Sequence, residues 1–67
     1  MSHVELENHM RKIIDKLQPG TVFILRDIIS DPPARLGRQL YEDVQSGKIK
    51  DVVLHGKSDG VEQYKKI

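Results

Sequence analysis

The stretch 51-DVVLHGKSDGVEQYKKI-67 decides the fold, because the hydrophobic period of the chain changes there. Residues 52–55 and 61–64 are rich in β-branched and aromatic side chains, as strands are. Between them lies the five-residue connection 56-GKSDG-60, which has glycine at both ends. We therefore predict a β-hairpin with a mobile, polar tip.

An amphipathic helix is predicted immediately upstream, over residues 33 to 46. Ser30 or Asp31 can cap it through a side-chain oxygen. The pair Pro32-Pro33 is placed at first-turn positions, where a missing N–H costs nothing and φ is already set. Gly47 is the expected residue just beyond the end of this helix.

The two faces of this helix differ in character. Leu36, Leu40 and Val44 recur at i, i+4 and i+8, which places them on one stripe facing the core. The helical wheel puts Arg35 and Arg38 on the opposite, outer face.

Residues 2 to 17 predict another amphipathic helix. Ser2 and Glu5 have the spacing of a capping box, in which each side chain satisfies a backbone amide of the other. Pro19-Gly20 ends this helix. Its apolar stripe consists of Leu6, Met10, Ile13, Ile14 and Leu17.

Two short elements are predicted between the long helices. Residues 21–24, Thr-Val-Phe-Ile, fit a short buried strand, and residues 25 to 30 fit a helix of under two turns. Asp27 is interpreted as a local cap or pairing partner at a helix terminus rather than as a catalytic group.

The resulting order is α-β-α-α-β-β over a single domain, residues 1–67, and this is the layout of a winged helix-turn-helix. A lone hairpin is marginal in water. The strand near Phe23 can pair with the hairpin, which gives an α+β fold with three helices packed on a small three-stranded antiparallel sheet.

Composition limits what the chain can do. Its 67 residues contain no cysteine, so it has no disulfide, thiolate metal site or cysteine nucleophile. We count 11 Lys+Arg against 10 Asp+Glu, so the placement of charge matters more than its sum. The start of the chain has no features of a secretion signal, and no apolar run approaches the ~20 residues of a membrane helix. A cytoplasmic location and no membrane partner are expected.

Two segments, 19-PGTVFILRDI-28 and 36-LGRQLYEDVQSGKI-49, resemble a small bacterial family of unknown function. Its members share a G-T-V-F-x-L-x-D-[LI] core, then an L-G-R-x-[FL]-x-x-x-V-x-x-G helix and a short hairpin. The resemblance covers most of the chain from residue 13 onward. Ile24 stands where the family often has a hydroxyl residue, and the segment 29-ISDPPAR-35 is shorter than in relatives.

This resemblance implies a winged-helix fold and no particular activity. More broadly, the layout is similar to the winged-helix DNA-binding domains of bacterial, phage and plasmid regulators.

Arg35 and Arg38 are the main candidates for contact with double-stranded DNA. In the helix-turn-helix mode the last helix lies in the major groove, and arginine can donate to O6 and N7 of guanine. Gln39, on the flank of the same face, could read adenine. The alternative is that Arg38 pairs with Glu42 at i,i+4 and that both only solvate the helix.

A second candidate set lies at the hairpin. Lys57 and Ser58 at the predicted tip could contact a phosphate, although Asp59 nearby weakens this interpretation. Lys48, with Lys50 and the pair Lys65-Lys66, could contact the DNA backbone without sequence specificity. Simple solvent exposure is the alternative for each lysine.

No catalytic, metal or cofactor site is predicted. His3 and His9 are six residues apart, which is not one helical face, and His55 is on another element. Gly56-Lys57-Ser58 resembles the end of a phosphate-binding loop, but Asp51 occupies the position of its upstream glycine. The domain is too small for a normal catalytic pocket, so neither an enzyme nor a small-molecule substrate is expected.

Two functions follow from these observations. The first is a small winged-helix DNA-binding protein, a transcriptional regulator or accessory factor. Its recognition helix would span 33–46 and its wing 56–60, and it would work as a homodimer or with a larger protein partner. The second is a protein–protein interaction module on the same scaffold. It would use an exposed hairpin edge strand and a patch of Tyr41, Tyr64 and Ile67.

Overall fold

A computed structural model describes residues 2–67 and shows an α+β fold. The central strand β3 (Val61–Lys66) lies between β1 (Val22–Phe23) and β2 (Val52–Ser58) and is antiparallel to both. This arrangement of three helices and three strands has the predicted order and is compatible with a small winged-helix layout. The elements are α1 (His3–Lys16), β1 (Val22–Phe23), α2 (Leu25–Ile28), α3 (Ala34–Gln45), β2 (Val52–Ser58) and β3 (Val61–Lys66).

Helix α1 confirms the predicted capping box and apolar stripe. The backbone N–H of Glu5 donates to Ser2 Oγ at 3.2 Å, and that of Ser2 donates to Glu5 Oε1 at 3.5 Å. Met10 and Ile14 are fully buried, and the other stripe residues pack against the core.

Between α1 and α3, the strand and the short helix each contain fewer residues than predicted. The strand covers two residues, and α2 ends at Ile28 rather than at Ser30. Asp27 acts as the predicted local cap, because its carboxylate accepts a hydrogen bond from the backbone N–H of Ile24 at 3.0 Å.

The predicted start of the third helix is wrong. Neither Ser30 nor Asp31 caps α3; Pro33 is the N-cap residue, and Ala34 is the first helical residue. A residue that precedes proline is disfavoured in helical conformation, so Pro32 cannot enter the first turn. The chain turns at Asp31, where φ is +51°, and Pro33 is extended immediately before the helix.

The end of α3 confirms the prediction. Gly47 adopts φ +82°, a conformation that favours glycine, and its N–H donates to the carbonyl of Val44 at 3.2 Å. The backbone N–H of Ile49 then donates to the carbonyl of Asp43 at 3.0 Å. This closure brings the buried Ile49 back under the helix and directs the chain into β2.

The hairpin exists, but its predicted five-residue tip is wrong. The strands continue to Ser58 and start again at Val61, so that only Asp59 and Gly60 form the turn. Both have positive φ, +52° and +78°, as a type I′ turn requires, and Asp-Gly is a preferred pair for it. A bulge at His55, which has no partner on β3, lies between Leu54 and Gly56.

One apolar core joins all layers. The rings of Phe23 and Tyr64 stack with centroids 5.7 Å apart, which connects β1 to the centre of the sheet. The buried apolar residues are Met10, Ile14, Phe23, Ile29, Leu36, Leu40, Val44, Ile49, Val52 and Tyr64.

Candidate nucleic-acid interface

The outer face of α3 presents the two predicted arginines to solvent. Arg35 and Arg38 are exposed, whereas Leu36, Leu40 and Val44 on the opposite side are buried. Within residues 2–67, neither arginine forms an ion pair, so the alternative pairing of Arg38 with Glu42 is not made. Both guanidinium groups therefore keep their donors available for a ligand.

An acidic residue shares this face. Ala34, Arg38 and Glu42 are spaced at i, i+4 and i+8, so they form one row along the exposed side, and all three are exposed. The Glu42 carboxylate repels phosphates, but it can accept a hydrogen bond from N4 of cytosine. The exposed face of α3 therefore combines the hydrogen-bond donors of the two arginines with one carboxylate acceptor.

Gln39 is half-buried at the edge of this face and already has a partner. Its side-chain Nε2 donates to Asp43 Oδ1 at 2.8 Å. Asp43 is only 7% exposed, and we did not single it out from the sequence. Its i,i+4 spacing from Gln39, beside the apolar stripe, was the available signal.

The hairpin separates its two candidate residues. Lys57 and Ser58 lie in β2 rather than in the turn, and neighbouring strand residues face opposite sides of a sheet. Lys57 pairs across the strands with Glu62, their side-chain charges 3.8 Å apart, on the face that carries Tyr64. Ser58 is paired with Val61 on the other face, so the two cannot act together on one phosphate.

The remaining lysines divide into exposed and buried groups. Lys48 and Lys50 are exposed between α3 and β2, and Lys65 is exposed on β3. Lys66 is only 6% exposed, so the prediction that it could contact DNA is wrong. Its Nζ donates to the backbone carbonyl of Ile14 at 2.9 Å and lies 3.0 Å from Asp51 Oδ2.

The contact between the buried Lys66 and the partly exposed Asp51 affects the titration of the carboxyl. The hydrogen bond from Lys66 holds the pKa of the Asp51 carboxyl below its usual value, against a smaller opposing effect of burial. Arg11, on α1, adds to the lowering through its charge, although its Nε is buried without a hydrogen-bond partner. The two contacts of Lys66 connect the end of β3 to the last turn of α1 and to the residue that precedes β2.

A cleft between the helices and the hairpin was not expected from the sequence. It has a volume of about 280 Å³ and is bordered by α2 and α3 on one side and the hairpin on the other. Arg26 and Tyr41 line the helical side, and Glu62 and Tyr64 line the hairpin side. Burial, with the charge of Glu62 as a lesser cause, raises the pKa of Tyr64 to about 12.

Two further observations concern the described part of the chain. In residues 2–67 no group of three or more His, Cys, Asp or Glu side chains is arranged to hold a metal ion. None of the helices in the same range is long and apolar enough to cross a membrane.

Comparison with known proteins gave no protein-family model, no curated protein and no solved structure that matches this chain.

Proposed function

We propose that the chain is a small winged-helix DNA-binding protein that acts as a regulator or accessory DNA-binding factor. In this proposal α3 enters the major groove, and the β2–β3 hairpin is the wing beside it. Order of elements, sheet topology and the exposed arginines of α3 support the proposal.

The observation that carries the proposal is the division of α3 into two faces. The apolar side of the helix packs against the core. Arg35 and Arg38 are therefore exposed one turn apart, and neither forms an ion pair within residues 2–67. A bidentate arginine–guanine contact contributes about 1–3 kcal/mol of discrimination against the wrong base.

The small number of available positive charges limits the affinity that one copy of the chain can have for DNA. Arg35, Arg38 and Lys48 supply only a few positive charges, and Lys57 is partly neutralised by Glu62. Few phosphate contacts give weak binding at physiological salt. We therefore expect useful affinity to require a second copy on an adjacent half-site or a larger protein partner.

Fluorescence anisotropy with labelled duplex DNA of random sequence tests this function. We expect Arg35→Gln and Arg38→Gln each to weaken binding at low salt, with the log–log salt slope falling by about 1 where the lost contact was to a phosphate. Lys12→Gln, an exposed cation on α1, is the matched control and should bind like the unchanged protein. Equal affinity for all three variants would refute the assignment of α3 as the DNA-contacting helix.

A second candidate function is protein–protein association, and the outer face of the sheet favours it. Val22, Val53 and Val61 are 43%, 39% and 41% exposed on that face. Lys65 pairs in register with both Val22 and Val53, so its stem lies between them. Tyr64 is buried and cannot contribute to the predicted patch with Tyr41 and Ile67.

The hairpin edge suits strand addition poorly. The bulge at His55 interrupts β2, and bulges and edge lysines such as Lys57 commonly prevent edge pairing. Sedimentation velocity separates the candidates: self-association abolished by Val53→Lys, with DNA binding unchanged, would support the sheet face as an interface between copies.

A further inference from the structure

Gln39 and Asp43 form a side-chain pair at the edge of the exposed face of α3. Gln39 Nε2 donates to Asp43 Oδ1 at 2.8 Å across one turn of the helix. Arg35 lies four residues before Gln39 and Glu42 lies three residues after it, so these two exposed side chains are its neighbours on the helix surface. The half-buried Gln39 therefore lies where the exposed face of α3 meets the buried side of the helix.

A carboxylate at position 43 is unfavourable for stability in two ways. Asp43 is buried and forms no ion pair within residues 2–67, and an unpaired buried charge is costly. It also lies in the last turn of α3, where the partial negative charge of the helix end disfavours an anion. The backbone carbonyl of Asp43 accepts from the N–H of Ile49, but any residue type would supply that carbonyl. Backbone bonding and packing therefore do not explain why an aspartate occupies this position.

The pair fixes the orientation of the Gln39 amide. A carboxylate only accepts hydrogen bonds, so the amide must turn its nitrogen toward Asp43 and its oxygen away. Within the described residues Gln39 Oε1 accepts no hydrogen bond, and it is accessible to solvent. The bond to Asp43 uses one of the two N–H groups of the amide. One N–H and the oxygen therefore remain for a ligand.

We propose that Asp43 is a positioning residue that makes Gln39 selective for adenine in the major groove. This inference rests on the proposed DNA-binding function, in which α3 is the recognition helix. Adenine presents an N6 donor and an N7 acceptor in that groove. These two groups match the oxygen and the remaining N–H of Gln39.

The other bases match the fixed amide less well. Guanine presents two acceptors and thymine presents one acceptor and a methyl group, so neither offers a donor to the oxygen of Gln39. Cytosine offers the N4 donor but no acceptor for the remaining N–H. Without the carboxylate of Asp43 the amide would be free to turn over and to present its nitrogen to guanine or thymine instead.

Selection from a pool of duplexes with a randomised central segment tests the inference. The pool is passed over the immobilised protein at low salt, and the retained DNA is sequenced. We expect adenine to be preferred by about tenfold at one position, as a bidentate contact provides. Gln39→Ala should abolish this preference. The isosteric Asp43→Asn should abolish most of it, because asparagine can accept from the amide or donate to it and so allows both orientations.

A double variant and a matched control separate base reading from a structural role. In the Gln39→Ala background, Asp43→Asn should not change the base preferences further, because the two residues act through one contact. Asp15→Asn, the same substitution on the exposed surface of α1, should select the same sequences as the unchanged protein. A purely structural pair would change the free energy of unfolding in urea and leave the selected sequences unaltered.

The restraint on Gln39 is measurable without DNA or variants. Relaxation of the side-chain amide nitrogen should give a higher order parameter for Gln39 than for Gln45, which is exposed on the same helix. Equal order parameters would overturn the positioning role of Asp43.

The outcomes of the selection distinguish this inference from the proposed function. Suppose that duplexes are retained but show no adenine preference, or a preference that survives in Gln39→Ala or in Asp43→Asn. The positioning role of Asp43 would then be wrong, and DNA binding by the chain would stand. Retention of no duplex by the folded protein would overturn both.

Discussion

Lys66 shows how strongly one residue can depart from its sequence neighbours. Lys65 and Lys66 are both lysines near the chain end, but the alternation of β3 exposes the first and buries the second. Burial is tolerated because Nζ has two acceptors, the carbonyl of Ile14 and the carboxylate of Asp51. The carbonyl belongs to the last turn of α1, where a cation is electrostatically favoured.

Replacing Asp51, which leaves the buried Lys66 charge without its carboxylate, should lower the free energy of unfolding more than replacing Lys66 by an apolar side chain of similar shape. Loss of one partner from a fully buried pair costs about 3–5 kcal/mol. Asp51 has a side chain that is 40% exposed, so solvent screens the pair and we expect about 1–2 kcal/mol for Asp51→Ala. Lys66→Met, of similar shape, should cost less than about 1 kcal/mol. Urea denaturation measures both, with Asp15→Ala as the exposed control; a larger loss for Lys66→Met would contradict this account.

The lowered pKa of Asp51 also predicts a pH dependence. Since the folded pKa lies below the unfolded value of 3.8, the contribution of Asp51 to stability is present above pH 3.8 and is lost as pH falls through the folded pKa. Thermal unfolding between pH 2 and 6 should therefore show a smaller acid destabilisation in Lys66→Met than in the unchanged protein. Identical pH profiles would show that the pair does not contribute.

At the scale of helices and strands, the sequence patterns predicted which face of an element is buried better than they predicted where the element begins and ends. The stripe Leu36, Leu40, Val44 correctly placed the core face of α3, because helical periodicity depends only on spacing. The two prolines do not form its first turn as predicted, because Pro33 disfavours helical conformation at Pro32, and α3 begins at Ala34. The hairpin was found from its β-branched strands, but two glycines suggested a long loop where Asp59-Gly60 alone makes the turn.

Two glycines should respond in opposite directions to the same substitution. Gly60→Ala places a side chain at φ +78° and should destabilise the protein by about 1 kcal/mol. Gly37→Ala lies within α3, where its added Cβ would meet Leu25 Cδ2 at an ordinary 3.6 Å, and should stabilise by about 0.5–1 kcal/mol. Chemical denaturation of both variants, compared with Ser58→Ala, checks the signs; a destabilising Gly37→Ala would mean that α2 and α3 pack more tightly than described.

At the scale of the whole molecule, the candidate interface was only partly predictable. Arg35 and Arg38 follow from the wheel of one helix, so their exposure was predicted correctly. Three other features depend on neighbours from other turns or strands. They are the pairing of Gln39 with Asp43, the opposite orientations of Lys57 and Ser58, and the burial of Lys66. The cleft is lined by residues between positions 25 and 64, and no local sequence pattern predicts it.

Because the net charge of the molecule is nearly balanced, the positions of the exposed charges decide which surface can attract DNA. A net charge of +1 gives little general attraction for DNA, so binding depends on which face carries the unpaired cations. In our proposal that face comprises the outer side of α3, with Lys57 on the side of the hairpin that carries Tyr64. The outer valine face of the sheet is left for another partner or for solvent.

The most direct test of the central claim is a map of amide chemical shifts on adding duplex DNA at low salt. We predict that the perturbed amides cluster on the exposed row of α3, around Arg35 and Arg38, extend to Lys57, and revert as salt is raised. Unchanged shifts at Arg35, Arg38 and Lys57, or changes confined to the sheet face around Val53 and Lys65, would contradict the assignment of α3 as the recognition helix.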